Sequence, residues 1–182
     1  MTSPKRLSQA ISEGDGISLI IEVDGPESAR AAEGAGAKAV LLYSGAEAHL
    51  EHVSDVTSLP VVFHFDDGRA EPVSGADACV VHGSTQWLEQ VHGELAQAAE
   101  VAIRIDDEDQ LEEVLQRFDP EIVLLAGDSD RERLPHVLGL LSDVPAGKLA
   151  IADLPGVTPD EIRELERAGC DAVLVGAAHA AG

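Results

Sequence analysis

Several short apolar runs of this chain end on residues able to ligate, donate or accept protons. Glu22 and Asp24 close SLIIEVD, Tyr43 closes AVLLY, His64 and Asp66 close VVFHFD, and His82 closes ACVVH. Arg104 and Asp106 close VAIRID, and Asp153 closes LAIAD. In an extended strand successive side chains alternate between faces, so Glu22 shares a face with Asp24, His64 with Asp66 and Arg104 with Asp106. Were these runs to lie side by side, two imidazoles and several carboxylates would converge. Such a set admits a divalent metal site or acid–base chemistry centred on His64. It equally admits a polar rim in which Arg104 pairs with Glu22 and the histidines hydrogen-bond carboxylates. No close ligand pair such as H-x-H occurs, so the rim is the preferred reading and no metal or other cofactor is expected. In the acid–base reading, neighbouring carboxylates are expected to raise the His64 pKa.

The elements that must position these residues alternate almost throughout. Strands are predicted at Ser18–Val23, Ala39–Tyr43, Val61–Phe65, Ala78–His82, Val101–Ile105, Ile122–Leu125, Leu149–Ala152 and Ala172–Val175. Helical periodicity fills Pro26–Gly34, Ala46–Val53, Thr85 to about Ala99, Glu108–Phe118 and Arg131–Leu141. A further helix opens at Thr158-Pro159-Asp160-Glu161, where Thr158 is a good N-cap, Pro159 suits the first helical position and Glu161 completes a capping box. Strict strand-then-helix order implies parallel neighbours and right-handed crossovers. A closed barrel and an open doubly wound sheet both satisfy it. Eight short strands favour closure. The length of 182 residues argues against it, since such barrels rarely fall below about 200. The shortfall can be located. Between the third and fourth strands lies only DDGRAEPVSGAD, too rich in Gly and Pro for a helix, and after the eighth only Gly176 to Gly182. The fold class expected is α/β, a minimal (β/α)8 TIM barrel in one domain over 1–182, with its third and eighth outer helices short or missing.

Composition bounds the partners. Thirty-four acidic residues against 12 basic ones give a formal charge of -22, which repels nucleic acid and anionic membrane surfaces. Hydrophobic residues make up 45% but aromatics only 3%, so the core must be aliphatic. Cys79 and Cys170 are the only cysteines and form no C-x-x-C pair, which suggests free buried thiols in a reducing compartment. No run approaches a membrane span and the first residues lack a signal-peptide core, so a cytoplasmic protein is expected.

Certain stretches resemble the indole-3-glycerol phosphate synthases, lyases of tryptophan biosynthesis. RLSQAISEGDGISLIIEVDGPES is similar to the family's leading helix running into I-x-E-x-K-x-x-S-P-S. LPVVFHFD resembles P-V-L-x-K-D-F, and GADACVVHG resembles G-A-D-A-V-L-L-I. The stretch PGVTPDEIRELERAGCDAVLVGAAHAAG resembles the family's last segment, shared with related phosphate-binding barrels. The resemblance implies a helix before the first strand and a site at the carboxyl ends of the strands. Roles carry over poorly. Glu22 matches the first-strand glutamate, but Asp24 stands where the family has lysine. His64 stands where it has its principal general-acid lysine, and Arg104 where it has glutamate. Ala126-Gly127-Asp128 replaces an N-N-R that clamps phosphate. Ala152-Asp153-Leu154-Pro155-Gly156 replaces a serine-containing segment. Setting like charges at about 4 Å costs roughly 4 kcal/mol at an effective dielectric near 20. The family's activity is therefore not expected, although Glu22 and His64 could in principle serve a carbon–carbon lyase.

By the family's register the mouth holds Glu22, Asp24, Tyr43, His64, Asp66, His82, Asp106 and Asp153, with Arg104 as its lone cation. A small-molecule or anionic ligand is the partner expected there. Gly156 and Gly176-Ala177-Ala178 stand where related barrels bind phosphate through backbone N–H groups. The equal alternative is that Gly156 serves a tight turn and Gly176 a strand exit. His49, His52, His92 and His136 are expected on helix surfaces, His179 in the tail, and Trp87 packing a helix on the barrel. Phe63 and Phe65 alternate with His64 and should face outward where the third helix is missing. That face needs cover, from the loop after the third strand or from a second copy in a homodimer.

Overall fold

The computed structural model describes residues 5–66, 70–84, 88–127 and 132–176. Eight parallel strands follow one another round a closed ring: β1 (Ser18–Glu22), β2 (Ala39–Tyr43), β3 (Val61–His64), β4 (Ala78–His82), β5 (Glu100–Ile105), β6 (Ile122–Ala126), β7 (Leu149–Asp153) and β8 (Ala172–Val175). Pairing of β8 with β1, from Ser18 with Ala172 to Ile21 with Val175, seals it. The barrel reading holds and the open sheet is excluded. Helix α1 (Leu7–Ser12) precedes β1. Helices α2 (Pro26–Gly34), α3 (Leu50–Val56), α4 (Leu88–Ala98), α5 (Glu108–Arg117), α6 (Arg133–Asp143) and α7 (Pro159–Arg167) follow β1, β2, β4, β5, β6 and β7. Among the described residues no helix separates β3 from β4. The tail that would hold an eighth helix, with Ala177, Ala178 and His179, lies outside them. So do Trp87, Asp128 and the predicted helix starts at Thr85 and Arg131.

Alternation along the strands divides the apolar side chains into two cores. Ile20, Leu41, Val62, Val80, Leu124 and Ile151 fill the ring itself. Ile21, Val40, Leu42, Ile103, Val123 and Val173 face the helices. Towards the amino-terminal end several inward residues are small, Ala39, Ala78, Ala102 and Ala172, and Leu7 and Ile11 of α1 pack on the same interior cluster. That end is also pinned by polar contacts. The Glu100 carboxylate accepts from the Ser8 N–H at 3.2 Å in the first turn of α1. The Lys5 ammonium donates to the Thr57 carbonyl at 2.7 Å, at the end of α3.

A repeated tetrapeptide enters three strands: Gly36-Ala37-Lys38-Ala39, Gly75-Ala76-Asp77-Ala78 and Gly169-Cys170-Asp171-Ala172. The glycines lie at φ of 89°, 93° and 91°, where a side chain would be strained. Asp77 and Asp171 then accept from the backbone N–H groups of Val61 and Ala150, each at 2.9 Å. They satisfy backbone donors at the strand starts that would otherwise be left bare.

The missing third helix leaves no apolar gap. Phe63 is 0% and Phe65 6% exposed within the single chain, and they meet edge to face at 4.9 Å. Ala70, itself buried, and Val73 of the β3–β4 connection pack on the same core. The cover is the chain's own segment. Among the described residues no helix is long and apolar enough to cross a membrane.

The plug at the amino-terminal end sets a stability test. Leu7→Ala should destabilise the fold by about 2–5 kcal/mol, measured by urea denaturation, because a buried leucine leaves a cavity that the ring cannot collapse into. An unchanged midpoint would show that α1 does not complete the core.

Candidate functional site

At the opposite, carboxyl-terminal end the inward residues change character. Below lie mainly aliphatic side chains, with Ser18 and Glu100 at the far end. Above them Tyr43 pairs in register with His64, and His82 with Arg104, while Asp153 lies beside Ala126. The His64 ring stands 5.0 Å from that of Tyr43 and 5.7 Å from that of His82, centroid to centroid. Glu22 ends β1 on the same inward face, and its charge and that of Asp153 both act on the Tyr43 hydroxyl. Burial first, and these two carboxylates next, raise that hydroxyl above its ordinary range, with Arg104 opposing.

Arg104 is held by carboxylates. Its Nε donates to Asp106 at 3.1 Å, and Nη1 lies 3.9 Å from Asp153. The side chains of Arg104 and Asp153 are 17% and 14% exposed, so the pair is only partly screened by water. Asp24 and Asp66, expected in the mouth, lie at the exposed margin instead. Asp24 accepts from the Ser28 hydroxyl at 2.6 Å and so serves the start of α2. The Asp66 N–H donates to Ser44 Oγ at 3.1 Å.

His64 departs from expectation. It is 2% exposed, and its Nδ1 lies 3.0 Å from the carbonyl of Phe65 rather than on a carboxylate. A carbonyl only accepts, so Nδ1 carries the proton. Burial, then the Arg104 guanidinium and His82, lower its pKa to about 4. The expected rise is therefore wrong, because desolvation and Arg104 outweigh the nearby acids. At neutral pH the ring is uncharged, and Nε2 is a buried lone pair with no hydrogen-bond partner.

A second cation stands at this end, so Arg104 is not alone. Arg133, at the start of α6, donates to the carbonyls of Pro155 and Gly156 and pairs with Glu161 at 3.3 Å. Glu161 also accepts from the Thr158 N–H at 2.8 Å, as the predicted capping box requires. Gly156 lies at φ 68° in the turn closed by the Val157 N–H on the Leu154 carbonyl at 3.0 Å. That geometry suits glycine at the third turn position. Gly176 is exposed at the end of β8.

Other features were missed. Gly83 and Gly127 follow β4 and β6, and a Cβ on either would lie 2.9 Å from the Arg104 carbonyl or 3.0 Å from the Arg133 carbonyl. Glycine just past a strand was the available signal. His136 and His92 are half-buried, not surface residues: His136 Nε2 lies 2.7 Å from the Asp106 carbonyl, and His92 packs on Phe118 at 5.3 Å. His49 and His52 are exposed as expected. Both cysteines are buried, which raises each thiol to about 12. Among the described residues, no group of three or more His, Cys, Asp or Glu could hold a metal ion.

An eight-stranded parallel barrel with its polar residues at the carboxyl ends of the strands is the class these observations define. In sequence the chain is similar to the indole-3-glycerol phosphate synthase of Shouchella clausii (strain KSM-K16), 28% identical over 169 residues of alignment. That match takes in 81% of this chain and 65% of the enzyme, so the chain spans less than two thirds of its relative. Among solved structures, orotidine 5'-phosphate decarboxylase from Pyrococcus horikoshii OT3 superposes with a TM-score of 0.70 at 14% identity, over 90% of this chain and 91% of that one. Thiamine phosphate pyrophosphorylase from Pyrococcus furiosus gives 0.71 at 14%, over 91% and 88%. These two likenesses establish the fold. No family model matches the chain.

The buried imidazole gives a pH test. A pKa lowered by folding means that the unfolded chain binds the extra proton first. Stability from this group is complete above about pH 6.5 and is lost as the pH falls towards 4. The loss should reach roughly 3 kcal/mol. Replacing His64 by Gln should remove this dependence, so the wild-type-minus-variant stability difference should fall by about that amount as the pH drops through the window in urea titrations. A difference that widens in favour of wild type on acidification would contradict a buried neutral ring.

Proposed function

We propose that the carboxyl-terminal mouth, lined by Glu22, Tyr43, His64, His82, Arg104 and Asp153, binds a small molecule, and that the chain does not run the indole-3-glycerol phosphate synthase reaction. The observation carrying the first part is segregation. Inward side chains are mainly aliphatic through the body of the ring, and at the carboxyl-terminal end a polar set converges from different strands. Holding partly buried charges costs stability that aliphatic residues would not, and convergent polar groups in a concave end are the usual mark of a ligand site. Gly156 and Gly176 would border it on the β7–β8 side, and Ala177 follows in sequence.

The second part rests on residue types. Asp24 and His64 stand where the family has lysines, and Ala126-Gly127-Asp128 where it has its phosphate-clamping arginine. His64 is uncharged at neutral pH, which removes the proton donor that a lyase using Glu22 and His64 would need. Arg133 is already engaged by carbonyls and Glu161.

Two measurements test this. Incubation with the phosphorylated anthranilate–deoxyribulose substrate should yield no indole product, and product formation abolished by Glu22→Gln would overturn the loss of activity. A fragment screen read by thermal shift should give hits that Glu22→Gln weakens and Glu94→Gln, on the outer surface of α4, leaves alone. Hits indifferent to both would place binding elsewhere.

A further inference from the structure

Carboxylates outnumber guanidinium groups among the side chains that face the mouth. His64 Nε2 is the distal nitrogen of an inward side chain, flanked by the Tyr43 and His82 rings, 2% exposed and without a partner. A buried acceptor left bare costs about 1–3 kcal/mol, so a site that keeps one has use for a donor. Glu22, Asp106 and Asp153 add carboxylates, against the guanidinium of Arg104, while Arg133 is engaged by the Pro155 and Gly156 carbonyls and by Glu161. The Arg104 guanidinium is already satisfied by two of the three carboxylates. A phosphate entering here would have to strip Arg104 of its carboxylates and then face them uncompensated. A group that donates hydrogen bonds and carries positive charge would meet no such opposition. It would fill the lone pair of His64 and lie among carboxylates.

We infer that the mouth takes a small organic amine, entering ammonium first with hydrogen bonds donated to His64 Nε2 and to the carboxylates of Glu22 and Asp153, rather than a phosphate ester. This rests on the mouth being a ligand site at all. It differs from what a likeness to phosphate-named enzymes would suggest, because the charge at this end has been reversed while the ring has stayed.

Ethanolamine and glycerol 3-phosphate are suitable opposed probes, titrated at neutral pH into the isotope-labelled full chain and followed by backbone amide NMR. Ethanolamine should shift the amides of His64, His82 and Asp153 saturably, and glycerol 3-phosphate should not. Asp153→Asn should weaken ethanolamine by about tenfold, as expected for loss of one charged hydrogen-bond acceptor. Glu22→Gln should do the same and serves if the first variant does not fold. Glycerol 3-phosphate shifting the mouth while ethanolamine does not would overturn the inference and leave the small-molecule reading standing. Ethanolamine shifts scattered over the acidic surface, or unchanged in both variants, would overturn it as well. Silence from both probes overturns it too, and the fragment screen then decides separately whether the mouth binds anything.

Discussion

Closure of the ring governs everything else in this molecule. A parallel sheet with free borders can tolerate a strand slipping by two residues, but a sealed ring cannot, because each strand is held on both sides. Parity is then settled for every strand at once. Residues distant in sequence, Tyr43, His64, His82, Arg104 and Asp153, are forced into one layer without any of them choosing the others. The polar end is therefore a consequence of the backbone pairing, and its chemistry can drift while the scaffold persists.

The two ends of the ring solve opposite problems. Towards the amino-terminal end, Leu7 and Ile11 of α1 pack on the same interior cluster as several inward alanines, and Lys5 and Lys148 secure neighbouring loops by donating to the Thr57 and Pro120 carbonyls. At the carboxyl-terminal end the inward side chains include carboxylates and Arg104. Loss of a whole outer helix is tolerated between β3 and β4 because Phe63 and Phe65 pack against each other, under Ala70 and Val73. A short cover suffices where the outward residues are large.

Much of the scaffold was legible because its signals are periodic. The bounds of β2, β4 and β8 coincide with the apolar runs, and α7 starts where Thr158, Pro159 and Glu161 say it should. Departures were small: α3 is entered through a 3-10 turn at Glu47–His49, and β1 stops at Glu22 rather than Val23. The inward set was also legible, since alternation and strand order suffice for it. What escaped depends on depth and on side-chain reach. Burial of His64 reverses the direction of its pKa, and no count of neighbouring acids reveals desolvation. Arg133 finds the Gly156 turn across a loop, which no spacing in the chain encodes. Asp24 was claimed by Ser28, a local contact that competes with the inward direction.

The account depends most on His64 standing inside the ring as a neutral imidazole protonated on Nδ1, with Nε2 bare. Long-range proton–nitrogen correlation of the histidine side chains at neutral pH reads this directly. The prediction is one ring nitrogen of His64 with the shift of a protonated nitrogen and the other with that of an unbonded lone pair, unchanged until the pH approaches 4. Two equivalent, protonated nitrogens near pH 6.5 would contradict it, placing the ring in water or against a carboxylate.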